Sequence, residues 1–228
     1  MIHFHIITLF PESIEPYLEA SIIGKAQAKK KIKVSFYDPK KYTHPSTRLG
    51  AGDRRIQDER VDRRPYGGGP GMVLRPEPIL RAVAAAIGKK KGVEVIFFSP
   101  SGAQFDEAMA KGYATAKHIV FICGHYEGID ARVAEILKAR SVSVGPYVLT
   151  GGELPAATMI DAISRFVPGV LGKAESLENS RVSSSEVYTR PDVLKWKGKK
   201  YPVPEVLKSG NHAKIEEWKK STKVVSDM

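Results

Sequence analysis

The sequence predicts an α/β fold built around a mostly parallel sheet. Three observations carry that prediction. From Val93 onward, short β-branched segments alternate with longer segments of helical period, the pattern of strands lying side by side with helices crossing over them. The chain opens on an apolar segment, Ile2 to Phe10, that passes through Pro11 into a helical stretch. Its 228 residues, 42% hydrophobic and 27% charged, suffice for one sizeable core or a core with a small appendage, and exclude disordered and collagen-like classes.

Each element follows from local pattern. Ile14, Leu18, Ile22 and Ile23 give the first helix an apolar face. Lys33 to Tyr37, with Val34 and Phe36 alternating, reads as a second strand. From Asp38 to Pro70 the chain is polar, rich in arginine and without periodicity, which predicts a long functional loop. Pro78 to Lys91 is predicted as a helix, with Ile79, Leu80, Val83 and Ile87 inward and Lys89 to Lys91 complementing the dipole at its end. The alternation continues as strand Val93 to Phe98, helix Phe105 to Lys117, strand His118 to Ile122, helix Ile129 to Ala139 and strand Ser141 to Val144. A helix from about Leu154 to Phe166 keeps Ala156, Met159, Ile160 and Ile163 on one face behind an early Pro155. Pro168 to Glu186 turns to Gly, Ser, Glu and Asn and reads as a linker. A small basic helical tail follows, with Asn211 capping a helix that carries Ile215 and Trp218. The expected domains are residues 1–170, a linker over 171–187, and 188–228.

Composition narrows the function. The longest apolar runs, Val93 to Phe98 and His118 to Cys123, fall far short of the roughly 20 residues a membrane-spanning helix needs. The opening residues show neither a basic n-region nor a small-residue cleavage site. A single cysteine, Cys123, excludes an internal disulfide framework and a multi-cysteine metal site. A cytoplasmic protein without a membrane partner is expected. The 36 Lys and Arg against 25 Asp and Glu leave a net charge of +11. Basic residues gather between Arg48 and Arg64 and again beyond Arg190, which suits an extended phosphate backbone.

The chemistry lies in glycine-containing loops. Three late strands run into Ser99 to Gly102, Gly124 to Gly128, and Gly145 to Glu153, and a fourth glycine cluster spans Tyr66 to Gly71. In open α/β sheets ligands bind beyond the carboxyl ends of the strands, where glycine admits close backbone approach. Neither a P-loop nor a dinucleotide fingerprint is present, since the first strand runs into Thr8-Leu9-Phe10-Pro11. A backbone-rich pocket therefore suits a neutral or cationic nucleoside better than a polyphosphate.

These residues carry a resemblance. Tyr66 to Met72 (YGGGPGM), Cys123 to Asp130 (CGHYEGID) and Tyr147 to Pro155 (YVLTGGELP) closely resemble the bacterial TrmD family of tRNA (guanine-37-N1)-methyltransferases. Thr8 to Glu12, Arg165 to Gly169, Tyr188 to Pro191 and Ser209 to His212 extend the similarity over nearly the whole chain. It implies a SPOUT-type fold with a deep trefoil knot that binds S-adenosylmethionine, a small helical C-terminal domain for tRNA, and a homodimer whose active sites draw on both subunits. DNA is not expected as a partner, and magnesium is implied as an assisting ion with no residue to hold it. By similarity the cofactor site comprises Phe97, Phe98, Ser99, Pro100 and Gly102; Gly124, Tyr126, Glu127 and Gly128; and Ser143, Val144, Gly145, Tyr147, Val148, Leu149, Gly151, Gly152 and Pro155.

Methylating guanine N1 requires a base for its proton and a donor for charge growing on O6. The family places an arginine near O6, which matches Arg165, and an aspartate base in the linker. Counting from Arg165 puts Ser180 where that aspartate belongs. Serine alone is no equivalent base, so Glu178 is the preferred replacement; the alternative is a cofactor- and tRNA-binding member with weak or lost catalysis. Pro146 also departs from the aspartate the family commonly carries there. A purely structural RNA-binding protein would leave four ligand loops without purpose.

Four further features read more plainly. Asp161 lies one helical turn before Arg165 and suggests an i,i+4 pair. His3 and His5 alternate with Phe4 and Ile6 and read as packed or edge histidines rather than metal ligands. Cys123 reads as an inert buried thiol. Lys195, Lys197, Lys199 and Lys200 around Trp196 suit phosphate contact and stacking on RNA.

Overall fold

A computed structural model describes residues 1–43, 60–171 and 186–222. The chain divides into two compact units, Met1–Leu171 and Gly172–Met228. Glu178 and Ser180, most of the predicted linker and about half of the arginine-rich loop lie outside the described residues.

The first unit is a five-stranded, wholly parallel sheet formed by β1 (Ile2–Ile7), β2 (Ile32–Tyr37), β5 (Val93–Gln104), β6 (His118–Ile122) and β7 (Arg140–Ser143) in the order β2-β1-β6-β5-β7. Helical period gives α1 (Glu15–Glu19), α2 (Ser21–Ala28), α4 (Glu107–Tyr113) and α6 (Glu153–Ser164) their apolar faces. Leu18, Ile23, Ala110 and Met159 from these helices share one core with Phe4, Ile96 and Phe121. Residues of opposite parity, Ile7, Val120 and Ile122, face α3 (Pro76–Ile87) and α5 (Arg132–Leu137) through Ile79, Val83 and Val133. Both faces are covered, as parallel sheets require.

In an ordinary doubly wound sheet successive strands after the first crossover are laid outward. Instead β6 inserts between β1 and β5, and β7 pairs on the far side of β5. Burial explains the central place of β6: four of its five residues are buried, whereas β5 is only partly covered. Strand β5 is also longer than the predicted Val93 to Phe98. It bulges out after Phe98 and returns at Ala103, so that both residues pair with Val142. Gly102 makes this possible, because a Cβ there would lie 2.5 Å from the Val142 nitrogen.

Helix ends move for local reasons. Asp106 caps α4, accepting from the Met109 N–H at 2.7 Å. Ile129 bridges to Leu74 rather than opening a helix, and Lys138 in the left-handed region (φ 48°) ends α5. Around Leu74, β3 (Asp62–Arg63) and β4 (Val73–Leu74) form a small antiparallel pair at the end of the predicted loop.

The second unit adds a hairpin to the predicted helical tail. A hairpin, β8 (Val193–Trp196) with β9 (Lys199–Pro202), precedes α7 (Glu205–Lys208) and α8 (His212–Ser221). Lys197 and Gly198 both have positive φ, 47° and 77°, the conformation of a tight two-residue hairpin turn. Both hairpin faces are exposed, so the strands lack the polar-apolar alternation that marks half-buried ones. The Asn211 cap is present, its side chain accepting from the Lys214 N–H at 3.2 Å.

Candidate active site

Three loops at the carboxyl ends of β5, β6 and β7 enclose a cavity of about 230 Å³. Phe98, Ser99 and Pro100 come from the β5 bulge; Gly124, Tyr126, Glu127 and Gly128 follow β6; Ser143, Val144, Gly145, Tyr147, Val148, Leu149, Gly151 and Gly152 follow β7; and Pro155 comes from α6. Close backbone approach welds these loops together. Gly152 donates its N–H to the Gly124 carbonyl at 3.0 Å, and a Cβ on Gly152 would sit 2.6 Å from the Cys123 Cα.

The fourth glycine cluster joins the same rim. Glu127 donates its N–H to the Met72 carbonyl and Leu74 donates to Gly128, at 3.0 and 2.9 Å. A Cβ on Gly71, whose φ is +80°, would collide with the Glu127 side chain at 2.5 Å. Tyr126, itself at φ 60°, is more than half exposed beside it.

Two expected residues lie elsewhere. Phe97 pairs in register with Ile122 and Ser141 and packs in the α3 and α5 core, because strand parity turns it away from Phe98. Gly102 lies against β7. Sequence reasoning missed three lining residues, His125, Val142 and Thr150, although His125 and Thr150 stood inside the quoted motifs. The more informative omission is the polar group beneath the loops. Glu153, almost fully buried, accepts from His125 Nε2 at 2.8 Å and from the Thr8 hydroxyl, and Thr8 Oγ1 in turn accepts from the Phe10 N–H at 2.9 Å. The Phe10 ring meets His125 edge-on, 4.7 Å between centroids. This network ties the turn after β1 to the loops after β6 and β7.

Arg165 stands at the C-cap of α6, partly exposed and outside the cavity lining. The suggested Asp161 pair is absent, because Asp161 accepts from the Tyr17 hydroxyl instead. Cys123 is fully enclosed, and burial, reinforced by Glu153, pushes its thiol well up, which leaves it un-ionised and inert. Asp130 is held below the ordinary carboxyl range chiefly by hydrogen bonding to Arg132, at 2.8 and 2.6 Å.

Among the described residues the lining contains no lysine or arginine; its ionisable side chains there are His125, Glu127, Tyr126 and Tyr147. A polyphosphate would find no counter-charge, whereas a nucleoside with a cationic centre would meet backbone polar groups, aromatic faces and one carboxylate.

A parallel sheet ending in such a cavity defines an α/β protein with a small-molecule site at the carboxyl edge of its strands. The chain belongs to the family described as tRNA (Guanine-1)-methyltransferase TrmD, which matches residues 2–226. It is 40% identical over 227 residues to the tRNA (guanine-N(1)-)-methyltransferase of Clostridioides difficile, covering 97% of this chain and 92% of the relative. The proteins of the same name from Mannheimia succiniciproducens and Staphylococcus epidermidis are 41% and 43% identical, over 94% and 96% of this chain and 80% and 84% of theirs. Among the described residues no helix is long and apolar enough to cross a membrane.

Proposed function

We propose that this chain transfers a methyl group from S-adenosylmethionine to N1 of guanine 37 in the tRNA anticodon loop. The observation that carries the reading is the convergence of the three late glycine loops on one cavity, with Gly71 of the fourth cluster packed against Glu127 and no lysine or arginine among the described lining residues. Its make-up fits the cofactor. Backbone groups around Phe98, Gly124, Val144, Tyr147 and Leu149 would hold the adenine, and among the described residues Glu127 is the one lining carboxylate that can answer a positive centre. When bound, the cofactor supplies the methyl group on a sulfonium. The trefoil knot implied by the family is part of this reading, supported by the inserted β6 and by the close crossing of Gly152 over Cys123.

The protein's own part is proton and charge management. A carboxylate, for which Glu178 is the nearest replacement to Ser180 in sequence, takes the N1 proton. The Arg165 guanidinium donates to O6 as negative charge gathers there. Because Arg165 stands outside the cavity of its own chain, the reading has it complete the site of a second copy. Exposed Val148 in the cavity lining and Leu154 beside the lining residue Pro155, 83% and 59% accessible, support such a homodimer, since they offer apolar surface for a partner to cover.

In the tail, residues 188–228 are read as the RNA-binding domain. Lys195 and Lys200 face each other directly across the hairpin, while Leu194, Trp196 and Tyr201 share the opposite face. Like charges in direct register cost stability, and a phosphate between them would relieve that repulsion. Trp196, 63% exposed, offers a stacking surface for an unpaired base.

The names of the relatives favour the catalytic reading over a member with lost activity. The test is mass-spectrometric mapping of unmodified tRNA bearing guanines at positions 36 and 37, after incubation with protein and S-adenosylmethionine, with and without magnesium. A methyl on N1 of guanine 37 is expected. An intact, cofactor-bound dimer that leaves this tRNA unchanged overturns the proposal.

A further inference from the structure

His3 and His5 lie two residues apart on β1 and so project from the same face of the sheet. In the parallel ladder His3 pairs with His118, the first residue of β6. The sheet therefore brings His118 to two imidazoles more than a hundred residues before it. Among the described residues this is the group of three or more candidate ligands whose donor atoms, one from each side chain, all lie within 4.8 Å of one another. None of the three lines the cavity described above: His3 and His5 lie within β1 and His118 opens β6, whereas the cavity lies beyond the strands' carboxyl ends.

Distances between the rings favour a shared ion. His5 Nε2 and His118 Nδ1 are 3.3 Å apart. Two nitrogens bound tetrahedrally at about 2.0–2.1 Å from zinc are separated by about 3.3–3.4 Å. His118 stands 5.9 Å from His3 and 5.5 Å from His5 between centroids. His3 and His5 lie closer, at 3.8 Å, so ligation turns the His3 ring outward, which its partial exposure permits. A second set of contacts already orients two rings. His3 Nε2 meets Ser35 Oγ at 2.8 Å and His5 Nδ1 meets the Tyr37 hydroxyl at 3.2 Å, both from β2. Ligating histidines ordinarily have their second nitrogen fixed in this way.

We propose that His3, His5 and His118 form a binding site for one divalent transition-metal ion of the zinc type, with water in the fourth position. Three imidazoles without a carboxylate match zinc, copper or nickel, and not magnesium, which takes oxygen ligands. Buried His5 closes the inner side, and the partly exposed His3 and His118 admit the ion from solvent. Lys33 and Lys90 raise the local potential and hold the affinity below that of a dedicated structural zinc site. The ion bridges β1 to β6 and stabilises the sheet; it takes no part in methyl transfer, and the proposal stands independently of that reading.

The test uses the full chain without an affinity tag, stripped by chelator and titrated with cobalt(II). One ion per chain with the intense visible bands of four-coordinate cobalt is expected, displaced by zinc, and zinc should raise the melting temperature. His118→Ala should weaken binding more than about tenfold while melting cooperatively in chelator. Should His118→Ala fail to fold, His3→Gln at the exposed rim of the site gives the same comparison. Absence of these bands, or equal affinity in wild type and a folded variant, overturns the site.

Discussion

His125 Nε2 lies 2.8 Å from Glu153 Oε2, so a residue of the β6 loop is held by the first residue of α6. The same carboxylate accepts from Thr8, and one buried side chain thereby fixes three segments of the cavity floor. Glu153→Ala leaves two donors without their partner, at about 1–3 kcal/mol for each. A lower melting temperature and weaker S-adenosylmethionine binding by calorimetry are the expected outcomes. Thr8→Val removes one donor and should give the smaller loss.

Gly152→Ala drives a methyl group to 2.6 Å from backbone at Cys123. Backbone cannot rotate away as a side chain can, so the loops must part. Cofactor binding should fall at least tenfold by calorimetry, with overpacking costing about 1–3 kcal/mol of stability. Gly102→Ala, which strikes β7 at Val142, should lose stability first, visible in a urea melt.

If Glu178 is the base, Glu178→Gln lowers kcat by about 10²–10⁴-fold with KM for tRNA little changed. Single-turnover methylation measures this. Ser180→Asp, which restores the family's residue, should rescue Glu178→Gln; a Glu178→Gln variant with wild-type turnover removes Glu178 from the mechanism.

Acid should destabilise the metal-free first unit through buried His5 and its partly buried neighbours His3 and His118. Burial, with Lys33 contributing, brings His3 from 6.5 down to about 4, and burial with the neighbouring His3, His118, Lys90 and Lys33 charges brings His5 to about 3. His118 is lowered too, by burial first and then by Lys90 and Lys117, and Tyr37 completes the surroundings of His5. Below about 6.5 the unfolded chain takes up protons that the folded chain refuses. The stability present above that pH is therefore lost progressively as pH falls towards 4. Urea midpoints measured against pH in chelator should show this slope, and His5→Phe should flatten it.

Lys195→Ala and Lys200→Ala should each weaken tRNA binding across all sequences. Each should also reduce the slope of log affinity against log salt by roughly one. Trp196→Ala should instead weaken binding at every salt concentration and leave the slope unchanged.

Most of the first unit was legible because its strands are β-branched runs and its helices keep a 3.6-residue period. Strand neighbours were not, since the choice between β5 and β6 for the place beside β1 depends on burial in three dimensions. Much of the cavity lining was legible because Gly124 and Gly145 stand just after strands and Gly151 and Gly152 just before a helix. Glu153 and Thr8 were not read as partners, because 145 residues separate them and neither carries a signal of burial. The hairpin at Lys197 and Gly198 escaped because lysines on both faces hide the strand period, although the turn itself was written in that dipeptide. His118 had no visible link to His3 and His5 until the ladder brought them into register.

The inserted place of β6 has a consequence for synthesis. Phe4 finds its cross-strand neighbour at Ile119, more than a hundred residues later. A nascent chain that has reached only α3 can pair β1 with β2, but the other edge of β1 stays open, with its amides and carbonyls unmatched. That edge closes only when β6 leaves the ribosome, so completion of the sheet waits on the second half of the domain.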